Sequence, residues 1–262
     1  MYFLFLGRLF LALYSFLPTL NYERLINKIL HLQSMNSLFI TGTDTDVGKT
    51  YVAAGLAVTL RKMGIDVGIM KPFAAGTPQK KGFKSKDVEI LSRAAQVSDP
   101  EELMNPQFFE MAASPYTASK NLKVKVRVNS VLNNFKRLAK LHSMLLVEGM
   151  GGIMTPILKN YFVTNLIKDM KLPVIIVTRT RIGTVNHTIM TCKMCEKYKI
   201  TIKGIVINNF DAVGYKVKDL TRDLKSLTGV PILGTIQYIE NLSDDSLYRN
   251  FKKNIDMNYL IK

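Results

Sequence analysis

The chain has 262 residues, 47% of them hydrophobic, enough for one sizeable α/β core, and it holds no internal repeat or low-complexity tract. Its net charge of +16 comes from scattered lysines, with no arginine-rich arm and no interleaved aromatics, so it reads as a solvated surface suited to polyphosphate ligands ahead of a nucleic-acid interface. The two cysteines, Cys192 and Cys195, form a lone C-x-x-C inside a helical run with no second Cys/His pair, which reads as structural thiols in a reducing compartment and not as a zinc or redox site.

Residues 1–20 are strongly apolar but interrupted by Arg8 and Pro18. They fall short of the roughly 20 clean apolar residues that a membrane helix needs. They also lack the charge order and cleavage site of a secretory signal. Residues 1–35 are therefore expected to be an extension outside the catalytic domain, with Met35 as an alternative start. A membrane-associating helix is the second reading. The domain proper is expected over 36–262.

The first strand signal, Leu38-Phe39-Ile40, runs into Thr41-Gly42-Thr43-Asp44-Thr45-Asp46-Val47-Gly48-Lys49-Thr50 and then into the helical pattern of Val52 to Val58. Strand, glycine loop, Gly-Lys-Thr and helix describe a phosphate-binding loop. Backbone N–H groups and the helix N-terminus attract a phosphate, Lys49 reaches the β/γ-phosphates, and the Thr50 hydroxyl ligates Mg²⁺. Gly42 and Gly48 are separated by five residues where the usual loop has four, and Asp44 stands where a second class of such loops carries a signature lysine. This loop resembles, almost letter for letter, that of the dethiobiotin synthetases.

Beyond the loop, strand and helix patterns alternate, which predicts an α/β chain with a mostly parallel sheet and helices on both faces. Ile65 to Met70 reads as a strand ending in Lys71-Pro72-Phe73-Ala74-Ala75-Gly76. A lysine at a strand's carboxyl end points into the crevice where α/β ligands bind. The resemblance makes Lys71 the catalytic lysine and gives Ala75 the place of a substrate-touching serine. Asp87, after the basic loop of Lys80 to Lys86, reads as the N-cap of a helix over Val88 to Gln96. The resemblance adds a Mg²⁺/ATP role, and both roles are compatible. Asn105-Pro106 to Ser114-Pro115 resembles the family's cleft-lining loop.

Asn129 to Leu141 reads as an amphipathic helix and Ser143 to Val147 as a buried strand that delivers Glu148-Gly149-Met150-Gly151-Gly152. A carboxylate beside glycines at a strand end can hold a nucleotide's metal. The family segment differs only at Met150. Pro173 to Thr178 is the next strand, and Gly183-Thr184-Val185-Asn186-His187 opens a helix whose N-terminus suits a carboxylate. In the resembling family that carboxylate belongs to a substrate bound at the neighbouring subunit, which marks Gly183, Thr184 and Asn186, while His187 reads as structural. Lys203 to Ile207 ends in Asn208-Asn209, and Pro231 to Ile236 leads to Gln237-Tyr238; these segments match the family's base-binding positions. Asp245 to Lys262 reads as a surface helix and tail.

The resemblance covers roughly residues 36 to 242. It implies a single P-loop NTPase domain that uses ATP and Mg²⁺ to close 7,8-diaminononanoate and CO₂ into dethiobiotin. It places Thr50, Asp87 and Glu148 on the metal. Asp46, Val47, Gly48, Lys49, Thr50, Tyr51, Asp87, Glu148, Gly149, Met150, Gly151, Asn208, Asn209, Ile236, Gln237 and Tyr238 fall on ATP, and Thr45, Lys71, Ala75, Gly183, Thr184 and Asn186 on substrate. It implies catalysis by Lys71 and Lys49, a cytoplasmic homodimer, and no nucleic-acid or membrane partner. The readings from other classes are a partition- or septum-type ATPase tethered by the apolar N-terminus, and a nucleic-acid-binding NTPase.

Overall fold

The computed structural model describes residues 37–239 and 242–261, so the expected extension over 1–35 lies outside the described residues. β1 (Leu38–Gly42) feeds α1 (Lys49–Lys62), followed by β2 (Val67–Met70), β3 (Phe73–Ala75), α2 (Lys86–Ala95), α3 (Glu101–Met104), β4 (Gln107–Phe109), α4 (Pro115–Asn121) and α5 (Val128–Leu141). Next come β5 (Met144–Gly152), β6 (Pro156–Leu158), β7 (Tyr161–Phe162), α6 (Val163–Met170), β8 (Val174–Arg179) and α7 (Thr184–Tyr198). Then follow β9 (Ile202–Asn209), α8 (Val217–Thr228), β10 (Ile232–Gln237), α9 (Asp244–Asn254) and α10 (Met257–Ile261).

Six strands form a wholly parallel sheet in the order β10-β9-β8-β1-β5-β2. The short pairs β3–β4 and β6–β7 stand apart from it. Side chains alternate between the two faces. Leu38 and Ile40 join one apolar cluster with Leu56 of α1, Leu91 of α2 and Phe251 of α9. Phe39 joins the other, with Leu138 of α5, Leu166 of α6, Cys192 of α7 and Leu220 of α8. Both faces are thus covered, which is why the central strands are near-continuous apolar runs. Among the described residues no helix is long and apolar enough to cross a membrane.

The segment expected as a surface helix and tail is instead part of the core. Leu247, Phe251, Ile255, Met257 and Leu260 are buried. Phe251 lies over Gly55, where an added Cβ would sit 2.0 Å from its ring. Arg61 pairs with Asp244, and Lys62 with Asp245. The apolar stripe at 247 and 251 is narrow and flanked by Asp, Arg and Lys, so the charges dominate the local pattern and hide the buried face.

The parallel sheet brings six strand ends to one edge. Thr43 follows β1, Lys71 follows β2 and Arg179 ends β8. Asn209 ends β9, Tyr238 follows β10, and Glu148 lies within β5 opposite Ile40. Ligands of open α/β sheets bind outside these carboxyl ends.

Candidate active site

The phosphate loop has the geometry its sequence requires. Gly48 precedes α1 at φ 92°, a left-handed conformation that glycine adopts without strain. A Cβ there would lie 2.1 Å from the Asn208 amide nitrogen, so close packing as well as conformation demands glycine. The buried Lys49 ammonium donates to the Asp44 carbonyl at 2.8 Å, holding its charge inside the loop. Burial, followed by the nearby Lys71 ammonium, brings the Lys49 pKa down to about 8.

Lys71 occupies the centre of the cleft floor. Its backbone N–H donates to the Met104 carbonyl at 2.7 Å, and the buried Asn105 amide donates to its carbonyl at 2.7 Å. Asn105, expected along the cleft, therefore pins the lysine from behind, and Pro115 faces a small separate cavity beside Phe39. The Lys71 ammonium lies 2.8 Å from Glu148 Oε1, 2.9 Å from Asp87 Oδ2 and 3.2 Å from the Gly149 carbonyl. The Thr50 hydroxyl donates to the same Glu148 oxygen at 2.8 Å. Three remote segments thus converge on the residue after Lys49.

Asp87 differs from its expected capping role. α2 begins at Lys86 with Ser85 before it, and the Asp87 carboxylate turns from the helix end into the cleft. Lys71 offers it a full charge in a half-dry site, which outweighs the backbone N–H groups. Burial alone would raise the Asp87 pKa, but Lys71 and the Thr50 hydroxyl hold it below the usual carboxylate range. Burial likewise opposes the Lys71 charge, yet Glu148 and Asp87 keep its pKa above the ordinary lysine value. Burial pushes the Glu148 carboxyl up against the pull of Lys71.

Glu148 Oε2 is buried with no hydrogen-bond partner. Two carboxylates share one ammonium there, and a hydroxyl stands beside them. An orphaned buried oxygen within an all-oxygen donor set fits a hard divalent cation that takes its remaining ligands from phosphate and water. Among the described residues no three His, Cys, Asp or Glu side chains cluster, so such an ion would depend on those outside ligands.

A cavity of about 640 Å³ runs from this cluster along the loop. Thr45, Asp46, Gly48, Lys49, Thr50, Tyr51, Lys71, Ala75, Asp87, Glu148, Met150, Gly151, Asn208 and Tyr238 line it as expected. Others of the expected set lie elsewhere. Ile236 is wholly buried in the core, and Gly149 packs on Phe39. Val47 belongs to the core and borders a second cavity of about 310 Å³ that contains Thr184 and His187. Gly183 caps α7 at φ 93°, and Asn186 is exposed on its first turn. The two cavities share Thr45 and Arg179, so the Gly183 group and Lys71 sit on opposite sides of the phosphate loop.

The amides expected to face a base are engaged with the protein itself. Asn208 donates to the Val47 carbonyl at 3.1 Å, and Asn209 to Gln237 Oε1 at 2.9 Å. The Gln237 carbonyl accepts from Asn250 at 2.8 Å and from the Tyr51 hydroxyl at 3.2 Å. Arg179, Phe210 and Asn250 were not marked by the sequence reading. Arg179 offered the same signal as Lys71, a cation ending an apolar strand; Asn250, within a polar helix, offered none. Arg179 donates to both Asp211 oxygens and, at 3.1 Å, to the Asp46 carbonyl of the loop.

Comparison with known proteins agrees with this arrangement. A family model described as an AAA domain matches residues 36–246. The ATP-dependent dethiobiotin synthetase BioD of Nitrosopumilus maritimus (strain SCM1) is 68% identical over 228 residues, 87% of this chain and 100% of that protein. The protein of the same name from Thermodesulfovibrio yellowstonii is 38% identical over 85% of this chain and 97% of its own length. Among solved structures, a ParA family ATPase from Chlorobium tepidum TLS superposes with a TM-score of 0.49 at 16% identity, covering 83% of this chain and 92% of that one. With the phosphate loop, the lysine at the end of β2 and the β5 glutamate in place, and with identity sustained along the whole of such relatives, the chain belongs to the ATP-dependent dethiobiotin synthetase family.

Proposed function

We propose that this chain closes the cyclic urea of dethiobiotin from 7,8-diaminononanoate, CO₂ and ATP, releasing ADP and phosphate. The observation that carries the reading is the junction at Glu148. One of its oxygens touches both the Lys71 ammonium and the hydroxyl of Thr50, the residue after the loop lysine, so a substrate cation and a phosphate site share one wall. The names of the relatives supply the reaction.

In this reading an amine of the substrate adds CO₂ to give a carbamate, and Lys71 balances its negative charge. The carbamate oxygen attacks the γ-phosphate, and the second amine then closes the ring with loss of phosphate. Lys49 and the loop N–H groups meet the charge spread over the moving phosphoryl group. Thr50, Asp87 and Glu148 would hold Mg²⁺, which when bound supplies further neutralisation of the phosphates. Holding both amines in place carries most of the catalysis, and no protein nucleophile is needed. Asn105 holds the Lys71 backbone in position. Thr45 and Ala75 face the substrate.

Gly183, Thr184 and Asn186 would receive the substrate carboxylate at the second cavity, from the partner subunit of a homodimer. Residues 1–35 would be an extension outside the domain, since the family match begins at residue 36. The buried free thiols Cys192 and Cys195 suit a cytoplasmic setting.

The test is ADP release with diaminononanoate and bicarbonate. The expected result is turnover that depends on the diamine and is lost in Lys71→Ala. Nucleotide hydrolysis stimulated by DNA or lipid vesicles in place of the diamine would overturn the reading in favour of a partition-type or nucleic-acid-binding ATPase. A chain starting at Met35 and the size of the assembly in solution test the remaining two points.

A further inference from the structure

We propose that the base end of the cleft holds its nucleotide by stacking on Phe210 and Tyr238 and not by reading the base edge, so that adenine and guanine nucleotides are used with little discrimination. This inference deepens the nucleotide assignment above and rests on it.

Edge reading needs free amide or carboxylate groups, and the groups near the base end are engaged. Asn208 is buried and bonded to the Val47 carbonyl; Asn209 is bonded to Gln237 Oε1. The Gln237 carbonyl has accepted donors from Tyr51 and Asn250. Asp244, at the far rim, is paired with Arg61. Recruiting any of these to a base would break a bond that ties β9 to the loop, β9 to β10, or β10 and α1 to α9.

The aromatic pair is in the opposite condition. Phe210 and Tyr238 line the same cavity just past Tyr51, yet remain 51% and 55% exposed. Their rings meet edge to face with centroids 5.1 Å apart. Arg179 fixes Phe210 relative to the phosphates: its guanidinium lies 5.2 Å from the Phe210 ring while bonded to Asp211 and to the Asp46 carbonyl of the loop. A nucleotide with its phosphates on the loop therefore meets a preset aromatic surface. Every base has a π-face, so such a surface distinguishes bases by their area and not by their hydrogen-bonding pattern.

The experiment measures calorimetric binding of ATP, GTP and CTP with Mg²⁺, and diamine-dependent ADP or GDP release, for wild type, Phe210→Leu, Phe210→Trp and Tyr238→Leu. ATP and GTP should bind within about an order of magnitude of one another, with CTP weaker for its smaller ring. Phe210→Leu should weaken both purine nucleotides by about tenfold and raise KM more than it lowers kcat. Tyr238→Leu should act in the same direction, and Phe210→Trp should restore binding. A preference for ATP over GTP of about a hundredfold or more would show edge reading and overturn the proposal. Unchanged nucleotide binding in both leucine variants, with a change of assembly size, would also overturn it and assign the pair to a subunit contact. If wild type binds both purine nucleotides as expected but shows no diamine-dependent turnover, the reaction falls and the stacking surface stands.

Discussion

The two ends of the cleft are built on different physical terms. At the phosphate end, Lys49, Lys71, Glu148 and Thr50 sit at least partly out of water, each tied to a named partner within hydrogen-bond distance. At the base end, Phe210 and Tyr238 are half exposed and touch little besides each other and Arg179. Buried charge is costly unless each group has its counterpart, so the residue types at the phosphate end are tightly prescribed. A stacking surface needs only breadth, so many residues would serve there.

The sharpest way to break this comparison is by rate. Lys49→Ala should lower phosphoryl transfer by about a thousandfold in a single-turnover assay, because it removes a positioned charge from the transferring group. Lys71→Ala should lower diamine-dependent ADP release by a similar factor of about a thousand. If Phe210→Leu cost as much as either, the division between the two ends would be false.

Stability gives the next largest contrast. Glu148→Gln removes the carboxylate that balances a buried ammonium, and should lower unfolding free energy by about 3 kcal/mol in urea denaturation. Tyr238→Leu, at a half-exposed position, should change it by less than about 0.5 kcal/mol. Equal losses would mean that the charged cluster is more solvated than its burial implies.

The pH dependence of nucleotide binding sharpens the same point. Lys49 is held at about 8 by burial and by Lys71. Its ammonium is therefore present at neutral pH and is lost as pH rises through that value, so ATP affinity should fall above it. Bound phosphate favours the charged lysine and should move the fall upward when ATP is saturating. Phe210→Leu should bind more weakly at every pH with the same slope, since nothing in the aromatic pair titrates in this range.

The smallest effect should lie far from the cleft. His142 bridges Asp66 and Asp99 at 2.9 Å each, at the opposite ends of the strands from the site. Burial works against its charge, but the two carboxylates outweigh it and raise its pKa. A raised folded value means that the clamp stabilises fully below the unfolded pKa and that the gain is lost as pH rises through the folded one. Comparing wild type with His142→Asn in urea at about pH 5.5 and about pH 8.5 should show a difference of about 1 kcal/mol at the lower pH only. ATP binding should not change.

The same contrast explains what the sequence made legible. Gly48, Lys49, Lys71 and Glu148 could be read because the chemistry of a phosphate site admits few residues, and because strand ends announce themselves as apolar runs stopping at a charge. Asp87 was found, but its role as a cap was not the one it fills: local chemistry favours a helix N-terminus, and only the tertiary approach of Lys71 diverts it. Asn208 and Asn209 were visible as a pair, yet their partners Val47 and Gln237 lie far away in the chain, so their engagement could not be read. Phe210 carried no pattern at all. The parallel sheet followed from alternating patterns, whereas the short β3–β4 and β6–β7 pairs, with three residues or fewer per strand, were beneath the period on which such reading depends.

The packing of α9 against α1 has a consequence for how the protein is made. Asn250 on α9 holds the Tyr51 hydroxyl and the Gln237 carbonyl, and Phe251 fills the space over Gly55 just behind the phosphate loop. The ribosome synthesises this helix after every strand of the sheet. A nascent chain whose β1 to β10 have already emerged still lacks the wall that steadies Tyr51 at the base end. Nucleotide should therefore bind weakly to ribosome-held chains stalled before α9 has cleared the exit tunnel, and firmly once it has docked, so that ATP can act as a chaperone only for the last step of folding.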